Sequence, residues 1–189
     1  IVKLYSHEAA AYLLDEWDIT EKLRVNGGLR ASYFAHIGPY TKYIPDNVQD
    51  NITPSNPPTV VEYQRGDLIG DYFKVEPRIN MRWTVDRNSS LKAGFTQNYQ
   101  YLHLTSLSAT SLPTDVWMPS TDVVKPQFGT QYSVGYFRNF FDNKFETSVE
   151  TYYKEMDNLL EYKEGTLPED NVNDNIDNHL TFGRGYSYG

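Results

Sequence analysis

Apolar and polar residues alternate along much of this chain, most regularly over residues 22–37. One parity of that segment is apolar or small, with Leu23, Val25, Gly27, Leu29, Ala31, Tyr33 and Ala35. The other parity carries Lys22, Arg24, Asn26, Gly28, Arg30, Ser32 and His36, and Phe34 is its one apolar member. Because successive side chains of a strand point to opposite sides, this period of two predicts a β-strand with two different faces.

The same alternation returns over residues 72–85, where Phe73, Val75, Ile79, Met81, Trp83 and Val85 share one parity with Pro77. The segment is longer than the roughly 5 or 6 residues of an ordinary globular strand. It suits a tilted membrane strand, which places about 9 to 11 residues in the lipid. Since proline cannot donate a ladder hydrogen bond, we expect at Pro77 either a bulge or a backbone site that faces away from its neighbour.

Weaker patterns predict further strands over residues 9–19, 90–105, 127–141 and 144–162, and the start of a seventh strand over residues 183–189. In the first of these, Tyr12 and Leu14 lie on the opposite parity from Trp17 and Ile19. In the second, Gln97 falls on the apolar parity. Either the membrane band ends at Gln97, or a bulge changes the parity there.

The links between these segments alternate strictly between short and long. Short polar turns are expected at residues 20–21, 86–89 and 142–143, and long links at residues 38–71, 106–126 and 163–183. Several long links of this kind count against a compact soluble domain. Short turns on one side and long loops on the other are typical of outer-membrane barrels. The fold class predicted is therefore all-β, an antiparallel transmembrane β-barrel segment.

Aromatic residues gather at the two ends of the predicted strands, as the membrane interfaces favour. Trp17, Trp83, Tyr136 and Phe140 lie near the short turns, and Tyr33, Tyr99, Tyr101 and Tyr153 lie toward the long loops. A soluble two-sheet sandwich with ordinary core aromatics is the alternative.

Several segments resemble the barrel of TonB-dependent receptors, especially those of Bacteroidetes-type bacteria. The similar segments are residues 16–19 with 23–30, residues 76–80 with 90–95, residues 125–127 with 131–139, and the closing residues 183–189. The resemblance implies that residues 1–189 are an internal part of one barrel domain of about 22 strands, closed by a plug that wide barrels require. The plug and the TonB box are not in this stretch.

Composition narrows the possibilities further. A mean hydropathy of −0.61 is compatible with a barrel, whose strands face lipid with only every second residue. No run approaches the roughly 20 apolar residues of a membrane helix. A net charge of −8 without a basic stripe argues against nucleic acid, and the lack of cysteine excludes disulfides and thiolate metal sites.

The sequence shows no motif for catalysis. The four histidines have no ligand spacing, and no nucleophile elbow or phosphate loop is present, so we expect neither an enzyme nor a metal or cofactor site. Glu169, Asp170, Asp174 and Asp177 form an acidic cluster in the last long link. We interpret this cluster as a solvated acidic loop rather than a calcium site, because its spacing does not match an EF-hand.

Five residues are candidates for ligand contact: Trp117, His36, Lys74, Glu76 and Arg78. Trp117 is the best of these, because it lies with Met118 between two prolines in a long link. It could equally pack against a neighbouring loop. Lys74, Glu76 and Arg78 belong to a charged ladder that could contact a plug or a passing solute, or could pair across strands and keep the lumen wet.

The resemblance implies an outer-membrane transporter that takes up a small nutrient. Its partners would be the lipid bilayer, the TonB energy-coupling complex reached through the plug, and in some receptors a surface lipoprotein. A passive porin or an adhesin shares every barrel argument, and a soluble carbohydrate-binding β-sandwich is a third alternative. Siderophore, cobalamin, glycan and peptide all remain open as the solute.

Overall fold

The computed structural model describes residues 3–44, 58–105, 115–164 and 174–189. Nearly all of them lie in strands, apart from one short 3-10 helix at Ile176–His179. In chain order the strands are β1 (Tyr5–Thr20), β2 (Leu23–Ile37), β3 (Tyr40–Ile44), β4 (Thr59–Tyr63), β5 (Leu68–Asp86), β6 (Ser89–Gln100), β7 (Leu102–Thr105), β8 (Val116–Pro119), β9 (Gln127–Phe140), β10 (Phe145–Tyr162) and β11 (Leu180–Tyr188). Within these ranges no helix is long and apolar enough to cross a membrane.

Seven of the strands form one antiparallel sheet in the order β1-β2-β5-β6-β9-β10-β11. Each strand pairs with the strands before and after it in the sheet's meander, so the six strands and the seventh predicted from alternation are confirmed. The sheet has two edges, β1 and β11, and is therefore an arc of wall. A sandwich would need a second large sheet packed on the first, whereas the remaining strands of the described residues form only the hairpins β3–β4 and β7–β8.

Strand register sorts the side chains onto two faces. Along one row across the sheet, Leu23, Trp83, Leu91, Tyr136 and Val149 are direct cross-strand neighbours. We call this parity the outer face, and its large apolar side chains are exposed, with Val149 at 74%. The adjacent row on the other parity, the inner face, begins Arg24, Arg82, Lys92. The β6–β9 and β9–β10 registers are unbroken, and the shifts in the other pairs lie near strand ends or, in β10–β11, between Asp157 and Leu159. The two faces therefore stay distinct between these points, because a slip of one residue would exchange them.

No bulge occurs at Pro77. It stands opposite Leu29 in a continuous β2–β5 register, and the one irregularity of that pair lies at the end of β2, between His36 and Ile37. The β5–β6 ladder runs only from Arg78 to Asp86, so Pro77 is the first residue beyond it. The bulge expected as one alternative is therefore absent. The other alternative fits, because the backbone of Pro77 has no ladder partner on the β6 side.

Gln97 stays on the outer parity. The β6–β9 register is unbroken from Ser89 to Gln100, which excludes the parity change that a bulge would have caused. The Gln97 Nε2 atom donates to the Thr130 Oγ1 atom across the pair at 3.4 Å. The unbroken register removes the bulge, and the first alternative, that the membrane band ends at Gln97, stays a prediction.

The described parts of the long links form secondary structure and lie against the inner face. The β3–β4 hairpin, the β7–β8 hairpin and the 3-10 helix together form what we call the outer cap. Ser32, Phe34 and His36, all on the inner parity of β2, are at most 1% exposed beneath it, while Tyr33 on the outer parity is 39% exposed. The two halves of the inner face therefore differ, since the half near the short turns is left open.

We expect a lysine to be tolerated on the inner face and not on the outer face. Ile79→Lys should lower the free energy of unfolding of the complete protein in lipid vesicles by about 2–4 kcal/mol, because an ammonium would enter hydrocarbon. Asn80→Lys, one residue along and on the inner face, is the matched control and should cost much less. Equal losses would contradict the assignment of the faces.

Candidate functional site

Phe34, the apolar residue on the polar parity of β2, packs against Tyr101, which is 3% exposed. Their rings are stacked with centroids 4.9 Å apart and planes 2° from parallel. Tyr101 follows directly after β6, at the point where the chain turns inward to β7. It therefore does not belong to the outer aromatic belt in which the sequence pattern placed it.

A polar chain runs from Tyr101 into the wall. Its hydroxyl lies 2.7 Å from the Ser32 Oγ atom, and Ser32 donates to the Glu76 Oε1 atom at 2.9 Å. Glu76 is 6% exposed, and its Oε2 atom lies 3.7 Å from Arg30 Nη1. These contacts satisfy a buried carboxylate and join the root of the β7–β8 hairpin to β2 and β5. We call Ser32, Phe34, Glu76 and Tyr101 the inner cluster.

Lys74 and Arg78 have different surroundings from Glu76. The Lys74 Nζ atom lies 5.3 Å from the ring centroid of Tyr99, a cation–π contact across the opening where β5 and β6 separate. Arg78 is exposed on the inner face and has no ion-pair or hydrogen-bond partner in the described part of the chain. Of the three ladder residues, only Arg78 presents a free charged group to the lumen.

His36 is fully buried with the edge of its ring against Tyr40, at a centroid distance of 5.1 Å. Neither ring nitrogen has a hydrogen-bond partner among the described residues. His103 is equally buried, and its Nε2 atom lies 2.8 Å from the Ser120 Oγ atom. Burial lowers the pKa of His103 to about 4, so its ring is neutral at ordinary pH.

A hydrogen-bond network joins the parts of the outer cap. Asp177, at 4% exposed, accepts from the Tyr40 hydroxyl at 3.3 Å and from the Thr121 hydroxyl at 3.1 Å. The Asp174 Oδ2 atom lies 2.6 Å from His179 Nε2. The Asp174 Oδ1 atom accepts from the Asn175 N–H at 2.7 Å and from Asn178 Nδ2 at 2.6 Å. The expectation of a solvated acidic loop is therefore wrong for Asp174 and Asp177, because the fold provides both carboxylates with hydrogen-bond donors. Glu169 and Asp170 lie outside the described residues.

Trp117 lies at a cleft of about 440 Å³ beside this network. The cleft is bounded by Leu4, Ser6, Tyr40, Leu102, Val116, Trp117, Met118, Pro119, Thr121, Asp174, Asn175, Ile176 and Asp177. Trp117 pairs with Leu104 across the β7–β8 hairpin, and its side chain is 65% exposed, whereas Met118 turns inward and is 1% exposed. The hairpin thus buries one face and offers an indole on the other.

The open half of the inner face is polar. A trough of about 550 Å³ runs over it, lined by Glu16, Arg24, Asn26, Asn80, Arg82, Lys92, Gly94, Ser133, Gly135, Phe137 and Glu150 among others. Its floor is low at Gly94, where a Cβ atom would lie 2.7 Å from Ser133 Oγ. A second trough of about 560 Å³ continues toward the short turns.

The five candidate residues do not converge on one site. Trp117 lines the cleft, His36 lies buried behind Tyr40, and Lys74, Glu76 and Arg78 extend along the inner face. A direct role of these residues in ligand contact stays a prediction. The described residues contain no cluster of three or more side chains that could hold a metal ion.

Sequence reasoning missed Tyr40, Asp177 and Tyr101 as members of the site. Tyr101 had a signal in Phe34, since an apolar ring on a polar parity needs a partner that folds onto it. Tyr40 and Asp177 are more than a hundred residues apart in sequence, and no local pattern joins them.

Removal of the ring stack should loosen the hairpin. Phe34→Ala should cost about 3–5 kcal/mol of local stability, because a buried ring is lost. Tyr101→Phe keeps the stack and should cost only about 1 kcal/mol for its hydroxyl. Hydrogen exchange over residues 102–105 and 115–124 measures both effects. Phe73→Ala, on the outer face of β5, should leave that exchange unchanged, and a larger effect of Tyr101→Phe than of Phe34→Ala would contradict the packing.

Acid should loosen the β7–β8 hairpin through His103. Because the folded pKa is about 4 and the unfolded value is 6.5, the folded state resists protonation. The stabilisation is complete above the unfolded pKa and is lost as pH falls from 6.5 toward 4. Hydrogen exchange of residues 102–105 should rise over that interval in the parent protein. In His103→Asn this dependence should be absent, and its persistence would show that another group is responsible.

A comparison with known protein families agrees with this architecture. The family model described as TonB dependent receptor-like, beta-barrel, matches residues 3–189. No curated protein sequence matches the chain. Among solved structures, the alcaligin outer-membrane receptor FauA from Bordetella pertussis is similar over 88% of this chain and 23% of its own, with 17% identity and a TM-score of 0.47. This chain thus spans less than a quarter of that receptor.

The family match extends over the whole sheet, the outer cap and the open polar troughs. Both faces of the wall have their place in such a barrel, since the outer face meets lipid and the inner face meets water and the lumen's contents. This chain belongs to the family of TonB-dependent receptor-like β-barrels and is a protein of the outer membrane.

Proposed function

We propose that residues 1–189 form part of the wall of one barrel domain in a receptor that imports a small nutrient across the outer membrane. The observation that carries the proposal is the division of the inner face. One half is covered by an ordered cap with an exposed Trp117 at a cleft, and the other half is an open polar trough. A capture surface above a wetted passage is what ligand-gated import needs.

The open trough suits contact with a plug and with the solute that passes it. Arg78 and Arg82 have no ion-pair partner in the described ranges, whereas Arg24 is held by Glu16 at 2.9 Å and by Asp18 at 2.7 Å. Free guanidinium groups on a lumen wall can form bidentate contacts with carboxylates of another domain. Of the charged ladder, Arg78 is therefore our candidate for contact with a plug or a passing solute. Glu76 has a structural role, because it binds Ser32 and Arg30 within the wall.

The proposed import function requires no catalytic step in this chain. In the proposed receptor the TonB energy-coupling complex would act on the plug, and a surface lipoprotein could meet the cap from outside. A binding function fits the cleft, because a concave apolar surface with a few convergent polar groups is the usual form of a small-molecule site.

A passive porin or an adhesin would use the same wall differently. Solute flux through a passive pore rises linearly with concentration and needs no energy source, and an adhesin transports nothing. Loss of TonB separates these functions from active import, since only active import stops.

The test is uptake by living cells with the complete receptor. Growth is measured with one limiting nutrient at a time: a ferric siderophore, cobalamin, a glycan or a peptide. A strain without the receptor gene should fail to grow on one of these nutrients, and a strain without TonB should fail on that same nutrient. Trp117→Ala should raise the half-saturating concentration at least about tenfold, the size of a binding hot spot. Phe141→Ala, an exposed aromatic residue at a short turn, is the control and should change nothing.

Uptake that continues without TonB would overturn active import. Uptake that needs TonB but is unaffected by Trp117→Ala would leave import standing and remove the cleft as its capture site.

A further inference from the structure

The cleft beside Trp117 has an unbalanced charge. Two carboxylates, those of Asp174 and Asp177, line it, and no lysine, arginine or histidine is among the described residues that bound it. Asp174 has a partner behind the cleft in His179. Asp122, the nearest further carboxylate of the cap, is paired with Lys42. Asp177 has no cation within ion-pair distance in the described part of the chain.

Asp177 is also the most deeply buried of these acids. It is 4% exposed, and both hydrogen bonds to its carboxylate come from neutral hydroxyl groups, those of Tyr40 and Thr121. Aspartate is seldom buried so fully without a cation, because hydroxyl donors only partly offset the loss of hydration. Burial raises the pKa of Asp177, and the nearby Asp122 raises it further. A positive charge brought to the cleft would stabilise the ionised carboxylate.

The hydrogen-bonding capacity of the cleft points the same way. The hydroxyl hydrogens of Tyr40 and Thr121 are already donated to Asp177. The Asn175 amide donates to the Thr41 carbonyl oxygen at 3.0 Å and accepts from the Tyr43 N–H at 2.6 Å. What is left over is mainly acceptor lone pairs on the carboxylates. The Trp117 indole N–H and the Ser6 hydroxyl are the side-chain donors that remain at the cleft. A donor on a ligand would find the carboxylates, and an anion would meet their repulsion.

Apart from the Ser6 hydroxyl, the rest of the lining is apolar and aromatic. Leu102, Val116 and Ile176 line the same cleft as the exposed Trp117. An indole face attracts an ammonium or guanidinium group placed over it, and tryptophan does so best among the aromatic side chains. The same ring packs against the aliphatic stem that carries such a group.

We propose that this cleft binds a cationic, amphipathic solute, whose ammonium or guanidinium group is held by Asp177 and Trp117 while its apolar part lies on the hairpin. This assignment rests on the proposed function and narrows its substrate class to basic peptides and similar organic cations. Anionic chelates are excluded from this cleft by the same charge.

The experiment uses the complete receptor in detergent and three blocked tripeptides of one shape. They are acetyl-Leu-Lys-Leu-amide, the same peptide with an acetylated lysine side chain, and acetyl-Leu-Glu-Leu-amide, with dissociation constants measured by calorimetry. The lysine peptide should bind at least about tenfold more tightly than its acetylated form, and the glutamate peptide more weakly than either. Raising the salt concentration should reduce the preference for lysine.

Two variants locate the effect. Asp177→Asn keeps the shape and an acceptor oxygen, and it should abolish the preference for the lysine peptide. Asp142→Asn removes the same charge at a short turn where both residues tolerate the positive φ of 55°, and it should leave the preference intact. Trp117→Ala should weaken the lysine peptide while Asp177 still favours it over the glutamate peptide.

Equal binding of the lysine and acetylated peptides, tighter binding of the glutamate peptide, or binding of none of the three below millimolar concentration would overturn the assignment. If Asp177→Asn disturbed the cap, two measurements on proteins that keep Asp177 would still test the assignment. They are the salt dependence of the parent protein and the loss of affinity in Trp117→Ala. Any of these failures would leave active import unaffected, provided that growth depends on TonB. Growth that does not depend on TonB would instead overturn the proposed function itself.

Discussion

The structure depends on one constraint: within hydrocarbon, every backbone N–H and C=O group must be bonded inside the protein. A seven-stranded antiparallel meander meets this constraint along its paired ladders and leaves it unmet at its two edge strands, β1 and β11. The same geometry gives each strand one face for lipid and one for water. The polar composition of the chain and the exposed aromatic residues of its outer face are both consequences of that division.

The constraint weakens where the strands leave the membrane, and there the chain no longer follows the paired ladder. Beyond Arg78 and Thr96 the β5–β6 ladder ends, and β6 leads inward through Tyr101 to the β7–β8 hairpin. Side chains replace backbone pairing at this point, because Tyr101 stacks on Phe34 and bonds to Ser32. A few buried contacts thus hold the β7–β8 hairpin of the cap against the wall. The cleft lies beside this hairpin.

Alternation and link length were sufficient to predict the strands, the two faces and the short turns, because these follow from local periodicity. The β3–β4 and β7–β8 hairpins were not predicted, since their strands have only four or five residues and no periodic signal. The strand predicted over residues 90–105 is divided at Tyr101, and its last part is β7. Trp117 was identified as an adhesive loop residue, but its neighbours in the cleft were not. Asp177 meets Tyr40 and Thr121 only through the fold, and its burial reverses the expectation of a solvated loop.

The central claim is that lipid surrounds the outer face and water wets the inner one. Spin labels at single cysteines placed in turn at residues 79 to 83 of β5, in the complete receptor in a bilayer, test it most directly. Labels that replace Ile79, Met81 and Trp83 should collide with oxygen dissolved in lipid, and labels that replace Asn80 and Arg82 should collide with a water-soluble nickel chelate. Equal accessibility at all five positions, or an alternation of the opposite phase, would contradict this claim.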